Sequence, residues 1–428
     1  MQCLYAMMDY DVDVAVIGGG LAGISAAITA AKNGLSVIVL ERGEHSGSKN
    51  VSGGRMYIHS LKKLLGDHYR DAPLELPIKK ETFEIYTGNH KASFSFENKD
   101  SENSYSILRS KFDAWFASEA ENLGVPISYS TLVSGIDREN EGLVVRSDRG
   151  DIKTPLVIEG DGATAFASRY LGLRQEKSFK MQPVENLQNN QDFMPKQFML
   201  GVKEIIDKKP EGDYGEAKTI LGLSDGIKGG GFSYTNKETT SIGLTLKLDS
   251  LEGHDEKSFE IIEDFREKLG IEGKLLEYSA HMIPFYKFET LPRRYADNIL
   301  VTGDAAGFLI NDGFTIRGMD NAIESGRLAG EAAKKIKDSG NFNDTFVYEQ
   351  MLEDSFILTD MQAASRISTL FGNERTFDAY PKIMAGILER MFTVTGNPRE
   401  NIKNVMMDEI KKNNIGYYTL LQDMLKVI

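Results

Sequence analysis

Three glycines at positions 18, 20 and 23 lie between two β-branched runs, and this spacing constrains the fold more than any other feature. Val12, Val14, Val16 and Ile17 form a short run of the kind that makes a buried strand. Gly18 allows a tight turn out of it. Gly20 leaves room for a pyrophosphate to approach the backbone, and Gly23 lets the next helix lie close to the strand. Ala22, Ala26, Ala27, Ala30 and Ala31 give that helix a small-residue surface and high propensity, and Gly34 stops it. Together with Leu21 and Ala22, the first-turn N–H groups and the helix dipole would face phosphates. A second run, Leu35 to Leu40, ends in Glu41, an acid placed about twenty residues on to accept hydrogen bonds from an adenosine ribose. Glycine turns alone are common. Strand, turn, helix, strand and acid in series specify a dinucleotide-binding unit.

The chain has 428 residues, 41% of them hydrophobic, enough for a large core and more than one domain. Its net charge of −13 argues against a nucleic-acid partner. A single cysteine, Cys3, allows no disulfide within the chain and no cysteine-ligated iron–sulfur cluster held by the chain alone. No metal site is expected. The opening residues MQCLYAMMDYD lack the basic and apolar regions of a secretory signal, and no run of eighteen apolar residues occurs. The expected location is cytoplasmic, with peripheral contact at the cytoplasmic membrane face as an option.

Beyond Glu41 and Arg42, the polar stretch RGEHSGSKNVSGGRMY is long for a connection and reads as a functional loop. Residues 75–107 alternate as strands. Phe112, Trp115, Phe116 and Ala120 then recur at helical spacing, and Gly124 ends the segment. Ile127 to Ile136 and Gly142 to Arg146 read as strands. TPLVIEGDGATAF is an apolar strand running into Gly160, Asp161 and Gly162. From Lys180 to Glu289 the pattern is an antiparallel sheet with one helix near Ser258 to Leu269. ADNILVTGDAAGFL returns to a buried strand, and residues beyond Asn341 read as helical. The expected fold class is α/β, with a Rossmann-like domain of residues 1–75, 105–175 and 285–342. An antiparallel-sheet substrate domain of residues 76–104 and 176–284 is inserted in it, and 343–428 form a helical C-terminal region.

Ile299 to Thr302 lead into Gly303, Asp304, Ala305, Ala306 and Gly307, and this stretch separates FAD from NAD. A carboxylate at the end of a buried strand suits the sugar-alcohol chain between flavin and pyrophosphate, and the small residues keep the wall low for a bulky cofactor. Gly313 to Gly318 form a loop feeding a helix at Met319, whose dipole would favour a reduced, anionic ring. Asp304 standing alone would read first as a helix cap, and the Gly18 to Glu41 unit upstream turns the reading to flavin contact. Arg109 either pairs with pyrophosphate or forms a surface ion pair, and Asp161 either packs or contacts the cofactor.

GSKNVSGGRMY, YSILRSKFDAWF, GGGFSYTN, EYSAHMIP and GDAAGFLINDGFTIRGMDNAIESG resemble stretches of the FixC flavoproteins and electron-transfer-flavoprotein:quinone oxidoreductases at comparable positions. These belong to the glutathione-reductase-type FAD proteins, a branch that also holds geranylgeranyl reductases and aromatic hydroxylases. The resemblance implies FAD, with Glu41 on the ribose, Arg109 on the pyrophosphate side and Asp304 on the ribityl side. It implies that Gly53, Gly54 and the turn of Thr315, Ile316, Arg317, Gly318 and Met319 line the isoalloxazine ring. The expected cofactor-binding set also includes Arg42, Lys49, Val133, Gly303 and Gly313. Longer members carry a ferredoxin-like region with cluster cysteines. The single cysteine here departs from that pattern and fits the FixC flavoproteins, for which the resemblance implies a separate small ferredoxin-like chain that supplies the cluster.

The leading expectation is an FAD oxidoreductase that takes electrons from an electron-transfer flavoprotein and passes them toward quinone, which would enter near Gly229 to Tyr234. The alternative is a geranylgeranyl-reductase-like enzyme that saturates isoprenoid double bonds; a flavin monooxygenase and a non-catalytic FAD-bound subunit stand behind it. His281 is a weak catalytic candidate, more readily explained as a non-catalytic histidine, and Tyr234 and Tyr286 have the same status. Ile415, Tyr418, Leu421, Leu425 and Ile428 recur at near-helical spacing beside Met424, a face for a bilayer, a ferredoxin-like chain or the chain's own domain.

Overall fold

The computed structural model describes residues 10–48, 53–139, 142–173, 198–224, 226–311, 315–371 and 373–425. Cys3, Lys49 and Gly313 lie outside the described residues. β1 (Val14–Ile17), α1 (Leu21–Lys32) and β2 (Val37–Leu40) form as the sequence dictates. β1 sits inside a six-stranded sheet of order Tyr295–Ala296, Ile299–Val301, Val157–Glu159, β1, β2, Ile127–Ser128. All neighbours are parallel except the first pair. Strands buried on both faces explain the unbroken apolar runs.

The long helix Met319–Ser339 lies against α1. Gly326 and Gly330 make the approach possible. A Cβ at Gly326 would stand 2.1 Å from the Ala22 carbonyl oxygen, and one at Gly330 2.7 Å from that of Ala26. Ile24 and Ile28 are fully buried in this core, each contributing about 1.5–3 kcal/mol. Residues 133–139, 142–147 and 152–154 form a small antiparallel sheet beside it.

A nine-stranded sheet makes the second layer. Its order is Lys274–Pro284, Phe198–Asp207, Thr240–Lys247, Gly229–Thr235, Gly215–Leu221, Leu74–Thr87, Ser104–Ile107, Gly54–Tyr57, with His90–Glu97 paired to Leu74–Thr87. It is antiparallel apart from the parallel pair of Gly215–Leu221 with Leu74–Thr87. Gly54–Tyr57 and Ser104–Ile107 are thus hydrogen-bonded into this sheet, although sequence alone grouped Gly54–Tyr57 with the dinucleotide unit. The helix Ser258–Lys268 covers one face through Ile262 and Phe265, packed on Val202, Ile220, Leu244 and Leu246.

Among the described residues five α-helices follow residue 345. The first, Phe346–Glu353, joins the main core, where the Tyr348 hydroxyl donates to the Val301 carbonyl at 3.1 Å. The last three, Ala379–Phe392, Ile402–Lys412 and Tyr417–Leu425, have their own small core of Ile383, Ile410 and Ile415. Of the C-terminal apolar run, Ile415 packs inward, whereas Tyr418, Leu421 and Leu425 are exposed. Ile428 lies outside the described residues. Among the described residues no helix is long and apolar enough to cross a membrane.

Candidate active site

A cavity of about 290 Å³ runs from the β1–α1 turn to the start of the long helix. At its first end the three glycines have three different tertiary reasons. Gly18 has a φ of +100°, and a Cβ there would lie 2.5 Å from the Gly160 carbonyl oxygen. A Cβ at Gly23 would lie 1.9 Å from the Gly18 carbonyl oxygen. A Cβ at Gly20 would meet nothing within 4 Å, because Gly20 faces the open cavity. No side chain caps α1, so its first-turn N–H groups remain available to an anion. Glu41 is held by backbone: Oε2 accepts from Gly19 N and Oε1 from Gly43 N, both at 2.6 Å. Each oxygen keeps a further lone pair for a hydroxyl donor.

Of the residues expected at the site, Gly18, Gly20, Leu21, Ala22, Glu41, Arg42, Gly53, Arg109, Val133, Asp304, Ile316, Gly318 and Met319 line this cavity, as does His281. Gly23 and Gly303 stand behind the wall as packing positions. A Cβ on Gly303, whose φ is +58°, would lie 2.9 Å from the Ala22 Cβ. Arg317 lines neither this cavity nor its neighbour. Its guanidinium binds Asp320 at 2.6 Å and Asp360 at 2.9 Å, and lies over the Tyr57 ring. The Arg317 charge is therefore matched by two carboxylates outside the cavity.

Arg109 opens the helix Arg109–Glu121 and binds Asp113 one turn on, Nε to Oδ1 at 2.6 Å and Nη2 to Oδ2 at 2.7 Å. This fork fixes the guanidinium in the cavity wall and leaves Nη1 outside the pair. Asp304 sits in the short turn Gly303–Ala306. Burial pushes its carboxyl up to about 6, against the opposing pull of Arg109. Asp161 also lines the cavity, and its Oδ2 accepts from Phe166 N at 2.7 Å.

Lys203 carries no motif and sequence reasoning missed it. The available signal is a charge inside the apolar strand run FMLGVKEII. Its Nζ donates to the Gly53 carbonyl oxygen at 2.7 Å and stands 5.4 Å from the Phe232 ring centroid. Burial, with Arg109 nearby, lowers its pKa to about 8. His281 lies on the neighbouring strand, opposite Gly201 in register. Burial, then Arg109, Lys203 and Arg42, push its imidazole down to about 4, so it is neutral at pH 7.

A second cavity of about 130 Å³ adjoins the first, and Lys203, Ile283, Ile316 and Met319 line both. Gly54 and Thr315 face this smaller cavity. Phe232 and Tyr234 stack on each other in its wall at 5.0 Å, and burial raises the Tyr234 phenol above its ordinary value, keeping it protonated. All three glycines of Gly229–Gly231 border the cavity, but not all make room in it. A Cβ at Gly231 would strike Phe265 on the far face and one at Gly229 the Thr245 carbonyl, leaving Gly230 on the face shared with Phe232 and Tyr234. Tyr286 packs under Gly307 and edge-on to Phe198, a core position.

Residues 13–170 match the family model of FAD dependent oxidoreductases, and residues 367–428 match the ETF-QO/FixC family C-terminal domain. The chain is 34% identical to the Escherichia coli K12 protein named "Probable electron transfer flavoprotein-quinone oxidoreductase YdiS", over 98% of this chain and 99% of that one. Identity to Protein FixC of the same organism is also 34%, over 97% of each. The chain belongs to the FixC/ETF-QO family of FAD-dependent oxidoreductases. Among solved structures, the fold matches a geranylgeranyl bacteriochlorophyll reductase-like protein from Thermoplasma acidophilum, with a TM-score of 0.69, 19% identity and coverage of 97% and 99%. The halogenase PltM, solved with phloroglucinol and FAD, matches with a TM-score of 0.62 and 14% identity, over 94% of this chain and 84% of that one. FAD fits the residues present: Gly20 opens onto space that a Cβ would fill, and Glu41 is preset for hydroxyl donors.

Proposed function

We propose that this chain is an electron-transfer-flavoprotein:quinone oxidoreductase that holds FAD in the larger cavity and receives quinone in the smaller one. The observation that carries the reading is the 34% identity to the YdiS quinone oxidoreductase over almost the whole of both chains. Glu41 binds the adenosine ribose, the first turn of α1 and Arg109 meet the pyrophosphate, and Asp304 holds the ribityl side. Bound FAD supplies the ability to take two electrons and release them singly. The chain's own residues place the cofactor and shape its surroundings. Gly20 keeps the backbone low, Asp113 orients Arg109, and Met319 and Ile316 separate the two cavities with apolar surface. Phe232 and Tyr234 offer a stacked aromatic wall to a flat ring. A separate ferredoxin-like chain supplies the iron–sulfur cluster, and the exposed apolar face around Tyr418 and Leu421 provides area for such a partner or a bilayer surface.

The test is stopped-flow mixing of the FAD-loaded protein with reduced electron-transfer flavoprotein, followed by addition of a soluble quinone analogue. Bleaching of the flavin and its recovery with quinone are the expected result. A geranylgeranyl lipid assay runs beside it. Lipid saturation without transfer between the two flavoproteins would assign the smaller cavity to an isoprenoid chain instead.

A further inference from the structure

Among the described residues three cations line the larger cavity, Arg42, Arg109 and Lys203, and their surroundings differ; Arg42 follows Glu41 at the adenosine end, away from the second cavity. Arg109 is matched by Asp113, and nearby Arg317 outside the wall is matched by Asp320 and Asp360. Lys203 is different. Among the described residues no carboxylate lies within ion-pair distance of it. Its ammonium is held by the neutral carbonyl of Gly53, and Arg109, of like charge, is the neighbouring charge it feels. It projects from the middle of the strand Phe198–Asp207 at a place where both cavities share a wall. The adenosine end of the larger cavity is fixed by Glu41, so a dinucleotide lying along it brings its other ring to the wall of Lys203, Met319 and Ile316. Two-electron reduction of a flavin by a donor, with uptake of one proton, leaves the ring one charge more negative. A fixed cation without a counter-ion, in a low-dielectric wall, stabilises that product over the oxidised ring.

We propose that Lys203 is the positive charge that compensates the reduced flavin and thereby raises its midpoint potential, acting as a positioning residue for charge. The proposal rests on FAD occupying the larger cavity and is independent of which donor or acceptor the protein uses. The test is the midpoint potential of bound FAD, measured by dye equilibration during reductive titration with dithionite, in K203M, K203Q and K203R. Flavin content is read first from the 450 nm absorbance. The expected result is a lower midpoint in K203M and K203Q, with K203R close to the unaltered protein. An unchanged midpoint in either neutral variant that retains FAD overturns the proposal. So does an equal fall in K203R, which would assign the effect to shape. Loss of FAD from both neutral variants, with or without loss from K203R, also overturns it, because the charge or the side chain would then serve binding or folding. Placement of FAD is tested apart from this by flavin content in Glu41→Ala and Asp304→Ala, so failure of one reading is distinguishable from failure of the other.

Discussion

At its Glu41 end the larger cavity is built mainly on one stretch, residues 18–43, in which turn, helix start and acid follow one another in sequence, with Thr131 to Val133 beside Glu41. At its other end Arg109, Lys203, His281, Asp304 and Met319 come from five separate segments. The first end gains its geometry from backbone: glycine conformations and two N–H groups clamp Glu41. The second gains it from side chains brought together by two sheets and a helix, and its electrostatics depend on which charges have partners. A backbone-built site tolerates little change in shape. A side-chain-built site tolerates shape better than charge, and the following predictions separate the two cases.

The largest effect is expected at Gly23. A Cβ there would overlap the Gly18 carbonyl at 1.9 Å, so Gly23→Ala must lift α1 off β1, costing about 3 kcal/mol or more. Chemical denaturation should show that loss, together with loss of FAD. Gly20→Ala should keep stability within about 1 kcal/mol, since its Cβ meets only open space, yet should reduce FAD retention. Equal denaturation midpoints for the two variants would break the distinction between wall and cavity glycines.

Next come the two aspartates. Asp304→Ala should weaken FAD retention by about 1.5–3 kcal/mol, the value of a hydrogen bond to a charged group. Asp161→Ala removes the acceptor of Phe166 N, costing about 1 kcal/mol of stability and little flavin. Flavin content after dialysis decides between them, and equal losses would remove Asp304 from the ribityl side.

A smaller effect concerns pH in the FAD-free protein. The Asp304 carboxyl is raised from 3.8 to about 6, so between these values the folded chain binds more protons than the unfolded chain. Stability therefore falls as pH rises through that window, and Asp304→Asn should gain about 1–2 kcal/mol above pH 6 and nothing below pH 4. His281 has the opposite sign. Its pKa falls from 6.5 to about 4, so its neutral form favours folding above 6.5 and that contribution is lost as pH falls toward 4. Denaturant titrations of Asp304→Asn and His281→Phe across pH 4–8 should show opposite slopes relative to the unaltered chain.

The smallest effect is expected far from both ends. Leu421 is 48% exposed, so Leu421→Ser should change stability by less than about 0.5 kcal/mol. Thermal unfolding would show a larger change if this face packs on its own domain.

The legibility of the site follows the same division. Gly18 to Glu41 could be read because its elements are consecutive and each residue type answers a local steric or hydrogen-bonding need. That Asp304 faces the cavity could be read because a strand ending in a glycine and an acid is also local. The buried strands of the Rossmann-like domain and the helical C-terminal region were legible for the same reason, as runs of one period. Lys203 was not, because a lysine in a strand has no meaning until the strand's neighbours are known. Arg317 was half legible: Asp320, three positions on, could be read as a partner, but Asp360 lies 43 positions along the chain.

By itself, then, the sequence determined that an FAD-type strand, glycine turn, helix and strand unit exists, where its glycines and its first acid fall in it, and that an α/β layer carries it. Tertiary structure alone decided that the Gly54–Tyr57 strand belongs to the second sheet, that Gly231 makes room for Phe265 and not for a ligand, and that Lys203, between two cavities, has no counter-ion among the described residues. The physical reason is range. Steric and backbone hydrogen-bonding demands act between near neighbours and leave a mark in residue type and spacing. Burial and charge compensation depend on whatever the fold brings within a few ångströms, and no spacing along the chain records that.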